Sequence, residues 1–451
     1  MLLYQRMPIG KATLWSIMGA YLLLPTRTVV DLPVFPPLDK VTISNVSAFF
    51  VCRFILGKKI KLLPDLGIGK ILILIYIASP FITVFLNPDP VIAGPRFIKG
   101  MEYYDALSAI IRQVLFIIPF LLGFAFIRDE KRHKELLWVL AYAGLFYSIP
   151  MLFEVRMSPQ LHNWIYGFFP HSFAQQMRGG GFRPVVFIGH GLLVAFFSMS
   201  SLVAAIAIGK STKTIMGYNA GAVVLYLAVI LVLCKSYAPL IYAVLLASFI
   251  QFSTPKKQLR VAWVLVLLVL CYPMIRVVDG FPINGISSFV ADFSPDRAQS
   301  LQFRLDNEEA LLDRVRNKAL FGWGSWGRNR VYDMTSGKDL SVTDGRWIIV
   351  MGEYGWVGFL AEFGLLALPV IRSVKVIRYI KDKREQIVFG AITLLLAISI
   401  VDLLPNSSVS PWTWLLAGAL YGRIDQLKST AAMRTNQAKI FRSNSSVKEI
   451  H

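Results

Sequence analysis

The chain has 451 residues, 55% of them hydrophobic and only 16% charged, with a mean hydropathy of +0.56. That balance excludes an ordinary soluble domain of this length, which carries more charge and less uninterrupted apolar sequence. The net charge of +20, from 47 Lys and Arg against 27 Asp and Glu, is accompanied by no nucleic-acid-binding module; it fits basic residues gathered on the cytoplasmic side of a membrane and near anionic headgroups.

Apolar runs fall at about 12–25, 41–57, 66–87, 106–127, 136–153, 184–208, 215–234, 237–252, 261–276, 346–371, 386–403 and 411–427. Many are about 18 to 22 residues long, the length a helix needs to cross a bilayer. Only helices or closed barrels satisfy their backbone in lipid, and these runs are too long for barrel strands. The predicted fold is therefore all-α: a polytopic membrane domain over 1–427 with about twelve transmembrane helices. The first run, from Leu14 to Leu24, lacks a small-residue cleavage site and meets Pro25, so it is expected to be a signal anchor. Cys52, Cys234 and Cys271 all fall within predicted spans, a pattern that suggests neither a disulfide framework nor a metal site.

The distribution of basic residues orients the spans. With the N-terminus (Arg6, Lys11) inside, the inner loops are 58–61, 128–134, 210–213, 256–260 and 372–384, each short and basic. The outer loops are 26–40, 88–105, 154–183, 277–345 and 404–410, which are mostly longer and of mixed charge. Both termini are then cytoplasmic. The segment 428–451 is polar and rich in Ser and Asn, and is expected to be a disordered cytoplasmic tail. The sequence has no internal repeat of the kind that builds many transporters.

Loop 277–345 is the longest connection, and loops of this size on a scaffold of spans usually carry function. Asp306, with Glu309 three residues later, is expected to cap a short surface helix continuing through Leu312, Val315 and Ala319. Gly322 and Gly324 are expected to end it.

Two segments stand out together. One is Arg178-Gly179-Gly180-Gly181-Phe182-Arg183-Pro184, running into Gly189-His190. The other extends from Arg304 through Phe321-Gly322-Trp323-Gly324 to Gly352-Glu353-Tyr354-Gly355-Trp356-Val357-Gly358. With Lys235 in a tight hairpin at Leu233–Pro239, they resemble the O-antigen ligase and polymerase superfamily of bacterial surface polysaccharide assembly. The resemblance covers most of the chain in topology and about a quarter of it in motif. It implies a GT-C-like membrane enzyme of the bacterial inner membrane, with its active site on the periplasmic side in loops 154–183 and 277–345. The implied chemistry is glycosyl transfer without metal or cofactor from a glycan on undecaprenyl pyrophosphate. The acceptor is another lipid-linked repeat unit in a polymerase, or lipid A-core in a ligase. A chain-length regulator often accompanies such enzymes. Ligases carry a His-Asn pair about nine residues before the Glu of the second motif. Here Asp344 and Gly345 occupy that place, which favours a polymerase or a divergent transferase. A flippase of lipid-linked sugars is a third possibility, disfavoured by the large one-sided loop.

The chemistry assigns roles. A departing pyrophosphate needs cations, and arginine binds phosphate oxygens with a planar fork that remains charged. Arg178, Arg183, Arg304 and Lys235 are the expected donor-binding set; the alternative is ion pairing within the loops or headgroup anchoring. Asp344 is expected either to accept the acceptor proton or to cap the helix beginning near Arg346. His190, expected about two turns inside its span, either polarises substrate or is satisfied by a neighbouring helix. Glu353, roughly 13 Å into a straight helix at about 1.5 Å per residue, is expected to pair with a buried cation or an amide. Trp323 and Trp347 either stack on sugars or sit in an interfacial belt.

Overall fold

The computed structural model describes residues 1–31, 36–60, 67–277, 292 and 295–448. Fifteen α-helices lie among them, with three two-stranded hairpins. Seven are long and apolar enough to cross a membrane: α4 (Gly67–Phe85), α5 (Tyr103–Phe126), α6 (Glu130–Met157), α8 (Gly191–Gly209), α11 (Pro255–Val277), α13 (Arg346–Val376) and α14 (Lys383–Asp402). The chain is a helical membrane protein.

The other apolar runs fall on helices too. They are α2 (Ile9–Leu23), α3 (Lys40–Phe50) with a π-helical extension at Val51–Ile55, α9 (Ala220–Leu233), α10 (Tyr237–Phe252), and α15 (Pro411–Lys448). Three helices complete the set: α1 (Leu2–Arg6), α7 (Leu161–Tyr166) and α12 (Pro295–Arg316). Helices α5 and α15 approach closely because Gly123 and Gly418 present no side chain to each other's backbone. Around them Phe120, Phe124 and Tyr421 form a buried aromatic stack.

Four expectations are corrected. Helix α15 continues to Lys448 across the segment read as disordered, because Ala, Gln, Lys, Arg and Met in 431–439 are strong helix formers. Residues 449–451 lie outside those described. Helix α12 begins at Pro295, not Asp306, and at 22 residues is not short. Asp306 instead accepts from Gln302 Nε2 at 2.8 Å, inside the helix. The third correction concerns 184–190. That stretch is not helical: Val186 and Gly189 have φ of 46° and 100°, and α8 starts only at Gly191.

The fourth is α13, which is not straight. Gly355 has φ 63° and ψ −162°, breaking the helix. The turn Gly322-Trp323-Gly324 fills the break. Trp323 N donates to Gly352 O (2.8 Å) and Gly324 N to Glu353 O (2.9 Å), while Trp356 N donates to Ala319 O (2.8 Å) and Val357 N to Leu320 O (3.1 Å). Backbone groups freed at the kink are thus paired across the loop, as a buried break requires. A Cβ at Gly322 would stand 2.6 Å from the Glu353 carbonyl, so the two glycine motifs fit because neither has a side chain there. Their shared role is architectural: together they fix the long loop before α13 to that helix.

Candidate functional site

A cleft of about 690 Å³ opens where loop 154–183, the middle of α12, the approach to α13 and segment 405–408 meet. Arg178, Arg183, His190, Arg304 and Asp344 line it together, joined by His171. Three guanidiniums and one carboxylate give it a positive balance.

The arginines are delivered by different means. Arg178 lies in a hairpin, β3 (Met177–Arg178) and β4 (Gly181–Phe182), whose turn residues Gly179 and Gly180 have φ of 53° and 68°. Two positive φ values in a two-residue turn are what a primed hairpin needs, and glycine adopts them without strain. Lys235, itself at φ 50° between α9 and α10, donates from Nζ to Arg178 O (2.9 Å) and Gly179 O (3.2 Å). Lys235 therefore holds the hairpin from beneath and is not among the cleft-lining residues.

Arg183 follows the hairpin and is 1% exposed. Its Nη2 donates to Ser236 Oγ at 2.7 Å, and its buried Nε has no hydrogen-bond partner among the described residues. Among the described residues no carboxylate pairs with it. Burial, then the nearby Arg178 charge, pulls its pKa down to about 10. Gly191 makes room for it: a Cβ there would stand 3.1 Å from Arg183 Nε.

Arg304 enters from α12, which is anchored to α11. Arg276 pairs with Glu309 (3.3 Å) and Glu308 (3.7 Å), and Tyr272 OH donates to Glu308 (2.9 Å). About one turn earlier on α12, Arg304 Nε stands 3.5 Å from Asp344 Oδ2, both side chains 41% exposed. An ion pair so open to solvent adds little stability, which leaves both groups available to a ligand. Asp344 does not cap α13: the N-cap is Gly345, and the first helical amide, Arg346 N, is met by Leu403 O (2.9 Å) and Asn406 O (3.0 Å).

His190 is the N-cap of α8 and not a residue two turns inside it; Nδ1 accepts from Leu192 N at 3.1 Å. An accepting Nδ1 places the ring proton on Nε2, so the imidazole is a donor in this arrangement. Its ring meets that of His171 edge-on at 4.7 Å. Burial, then His171 and the two arginines, lowers the His190 pKa to about 4. The folded chain therefore binds fewer protons here than the unfolded chain between about pH 4 and the ordinary histidine value of 6.5. Stability is expected to fall as pH drops through that window and to level off below it. His190→Gln should flatten part of the slope in thermal midpoints recorded from pH 7 to pH 4; an unchanged slope refutes the assignment.

The remaining candidates lie elsewhere. Glu353 pairs with Arg112 at 3.3 Å, beside Ser325 and Tyr354. Trp323 lies against the Arg314 guanidinium, 3.6 Å from its ring centroid, and its Nε1 donates to Arg314 O (2.7 Å). Trp347 is fully buried edge-on to Tyr272, so it belongs to the core. None of the three lines the cleft.

Sequence reasoning missed two contributors. His171 sits in a loop with no pattern to mark it. Segment 405–408 hides in a short connection, although Asp402 and Asn406, four apart and bonded at 3.0 Å, signal an ordered helix end.

No family model matches the chain, and no curated protein matches it significantly.

Proposed function

We propose that the chain is a glycosyltransferase that polymerises undecaprenyl-pyrophosphate-linked repeat units, without metal, at the periplasmic face of a bacterial inner membrane. The observation that carries the proposal is the convergence of Arg178, Arg183 and Arg304 on one cleft that also holds Asp344. The distribution of basic loops supports about twelve spans in a GT-C-like arrangement, with both termini cytoplasmic and the cleft outside.

The pyrophosphate of the donor lies against the three guanidiniums and the His190 Nε2–H. An acceptor hydroxyl oxygen attacks the anomeric carbon, and the bond from that carbon to the pyrophosphate oxygen breaks, its electron pair leaving with the pyrophosphate. Asp344 takes the hydroxyl proton and returns it to solvent. The products are the lengthened glycan and undecaprenyl pyrophosphate. Fixed cations aimed at the departing charge need no reorganisation as the bond breaks, and partial desolvation strengthens their effect. A single displacement of this kind inverts the anomeric centre.

The test is the length distribution of surface glycan in a deletion strain. Wild type is expected to restore a ladder of repeats, whereas Arg304→Ala and Asp344→Ala leave single repeats on lipid A-core. Full-length chains stranded on the lipid carrier in the deletion strain would instead establish ligation as the reaction.

A further inference from the structure

A second cavity, of about 330 Å³, lies directly behind the cleft. It is walled by α2, α3, α4, α5, the approach to α8, the start of α13, segment 407–410 and the start of α15. Leu193, Ser407 and Ser408 line both spaces, so a short hydroxyl-bearing segment is their common wall.

The two spaces differ in charge. The cleft holds three guanidiniums against one carboxylate, and Arg183 has no acidic partner among the described residues. In the second cavity every cation is already committed. Arg346 is held by Glu362 through Nε (2.7 Å) and Nη2 (2.8 Å). Lys40 donates from Nζ to Phe187 O (3.1 Å), Ile188 O (3.2 Å) and Tyr21 O (3.4 Å), with Asp39 beside it on the same wall. A phosphate gains little where the charges are already balanced. What remains for a ligand is aromatic surface from Tyr21 and Phe116, which are only half-buried, and the hydroxyls of Ser407 and Ser408, which are exposed. Apolar faces with a few placed polar groups describe a small-molecule site, and the volume lies at the lower end of the range of about 300–1,000 Å³ for such sites. A neutral polyol of one or two rings matches it: ring C–H faces lie on the aromatics and hydroxyls reach the serines.

We infer that this cavity binds the terminal sugar of the acceptor glycan, presenting its hydroxyl past Ser407 and Ser408 toward the cleft. The inference rests on the functional proposal above, and its test separates the two. Purified full-length protein in lipid nanodiscs is titrated with two probes. One is inorganic pyrophosphate. The other is the single repeat unit released by mild acid from the host's own surface glycan, free of lipid and phosphate.

Val409 lines the second cavity and not the cleft, is half-buried, and tolerates enlargement better than a core position. Val409→Trp is expected to weaken saccharide binding by at least about tenfold through lost volume and hydrogen bonding, and to leave pyrophosphate binding unchanged. Unchanged pyrophosphate binding also reports that the variant is folded. Phe116→Trp narrows the same space from the opposite wall and should act likewise. Arg304→Gln is expected to do the reverse, weakening pyrophosphate alone. Saccharide binding that ignores both tryptophan variants, that is absent from the wild type, or that is displaced by pyrophosphate overturns the inference. Failure of pyrophosphate to bind the wild type counts against the functional proposal alone.

Discussion

Arg183→Met is expected to lower the rate of glycan transfer by about 10²–10³-fold and, at the same time, to raise the thermal midpoint of the protein. The two effects share one cause. Arg183 is buried, its charged neighbour is another arginine, and its depressed pKa of about 10 says that the folded chain disfavours the guanidinium's charge at every pH below that value. Among the described residues its one side-chain hydrogen bond is to Ser236 Oγ, and that hydroxyl also donates to Cys234 O at 3.2 Å, so removing Arg183 leaves no orphaned donor on Ser236. Methionine keeps much of the length and volume while removing an uncompensated charge, a change that tends to stabilise. The wild type thus holds a cation that only an arriving anion can neutralise, the pattern of a site that sacrifices stability for function. Inorganic pyrophosphate should accordingly raise the wild-type midpoint, by the equivalent of about 2.7 kcal/mol at a hundredfold excess over Kd, and leave that of Arg183→Met nearly unmoved. Differential scanning fluorimetry with and without pyrophosphate reads both arms. A variant that loses stability in step with activity would show Arg183 to be a packing residue.

The helices were legible in the sequence because apolar runs carry their own length: each of the twelve runs falls at least in part on a helix, and seven of those helices are long and apolar enough to cross a membrane. Arg178, Arg183, Arg304 and Asp344 were candidates because they lie in loops read as outer, and they share one cleft; Lys235, named with them, does not line it. What escaped was whatever depends on contacts between distant segments. The break at Gly355 leaves the 3.6-residue periodicity of α13 intact and becomes visible only when Gly322-Trp323-Gly324 inserts into it. Glu353, two residues before that break, pairs with Arg112 from α5, the kind of cation partner expected for it. His190 looked like an intramembrane residue because Val185–Ile188 is as apolar as any span; the backbone turns at Val186 and Gly189 defer the helix by two residues beyond Ile188. Helix α12 did carry a local signal, Ser294-Pro295-Asp296, a helix-start signature that lacked a following apolar run to draw attention to it.

The irregular stretch that carries Arg183 and His190 needs its own support, and two side chains of α6 supply much of it. Glu154, fully buried near the end of α6, accepts from Val185 N and Val186 N at 2.7 Å through Oε2 and from Leu161 N at 3.1 Å through Oε1. Tyr147 OH, two turns earlier, accepts from Phe187 N (3.0 Å) and Ile188 N (3.2 Å), and Lys40 ties the carbonyls of the same two residues. Four consecutive amides are thus satisfied by two side chains of one helix. Without them this backbone would have to find other partners, since an unmet buried amide costs about 1–3 kcal/mol. Glu154→Gln preserves shape but offers one accepting oxygen where two are used, turning an N–H toward either Leu161 or the Val185–Val186 pair. Turnover is expected to fall by about 10- to 100-fold, because displacing a guanidinium by about 1 Å is enough to cost that much. Tyr147→Phe, which removes the second acceptor, should act in the same direction. The decisive measurement is the double variant with Arg183→Met. If Glu154 acts by aiming Arg183, the double variant is no slower than Arg183→Met alone, since there is no longer a guanidinium to misplace. Rate losses that multiply would instead mean that Glu154 supports the fold at large, with no particular hold on the cleft.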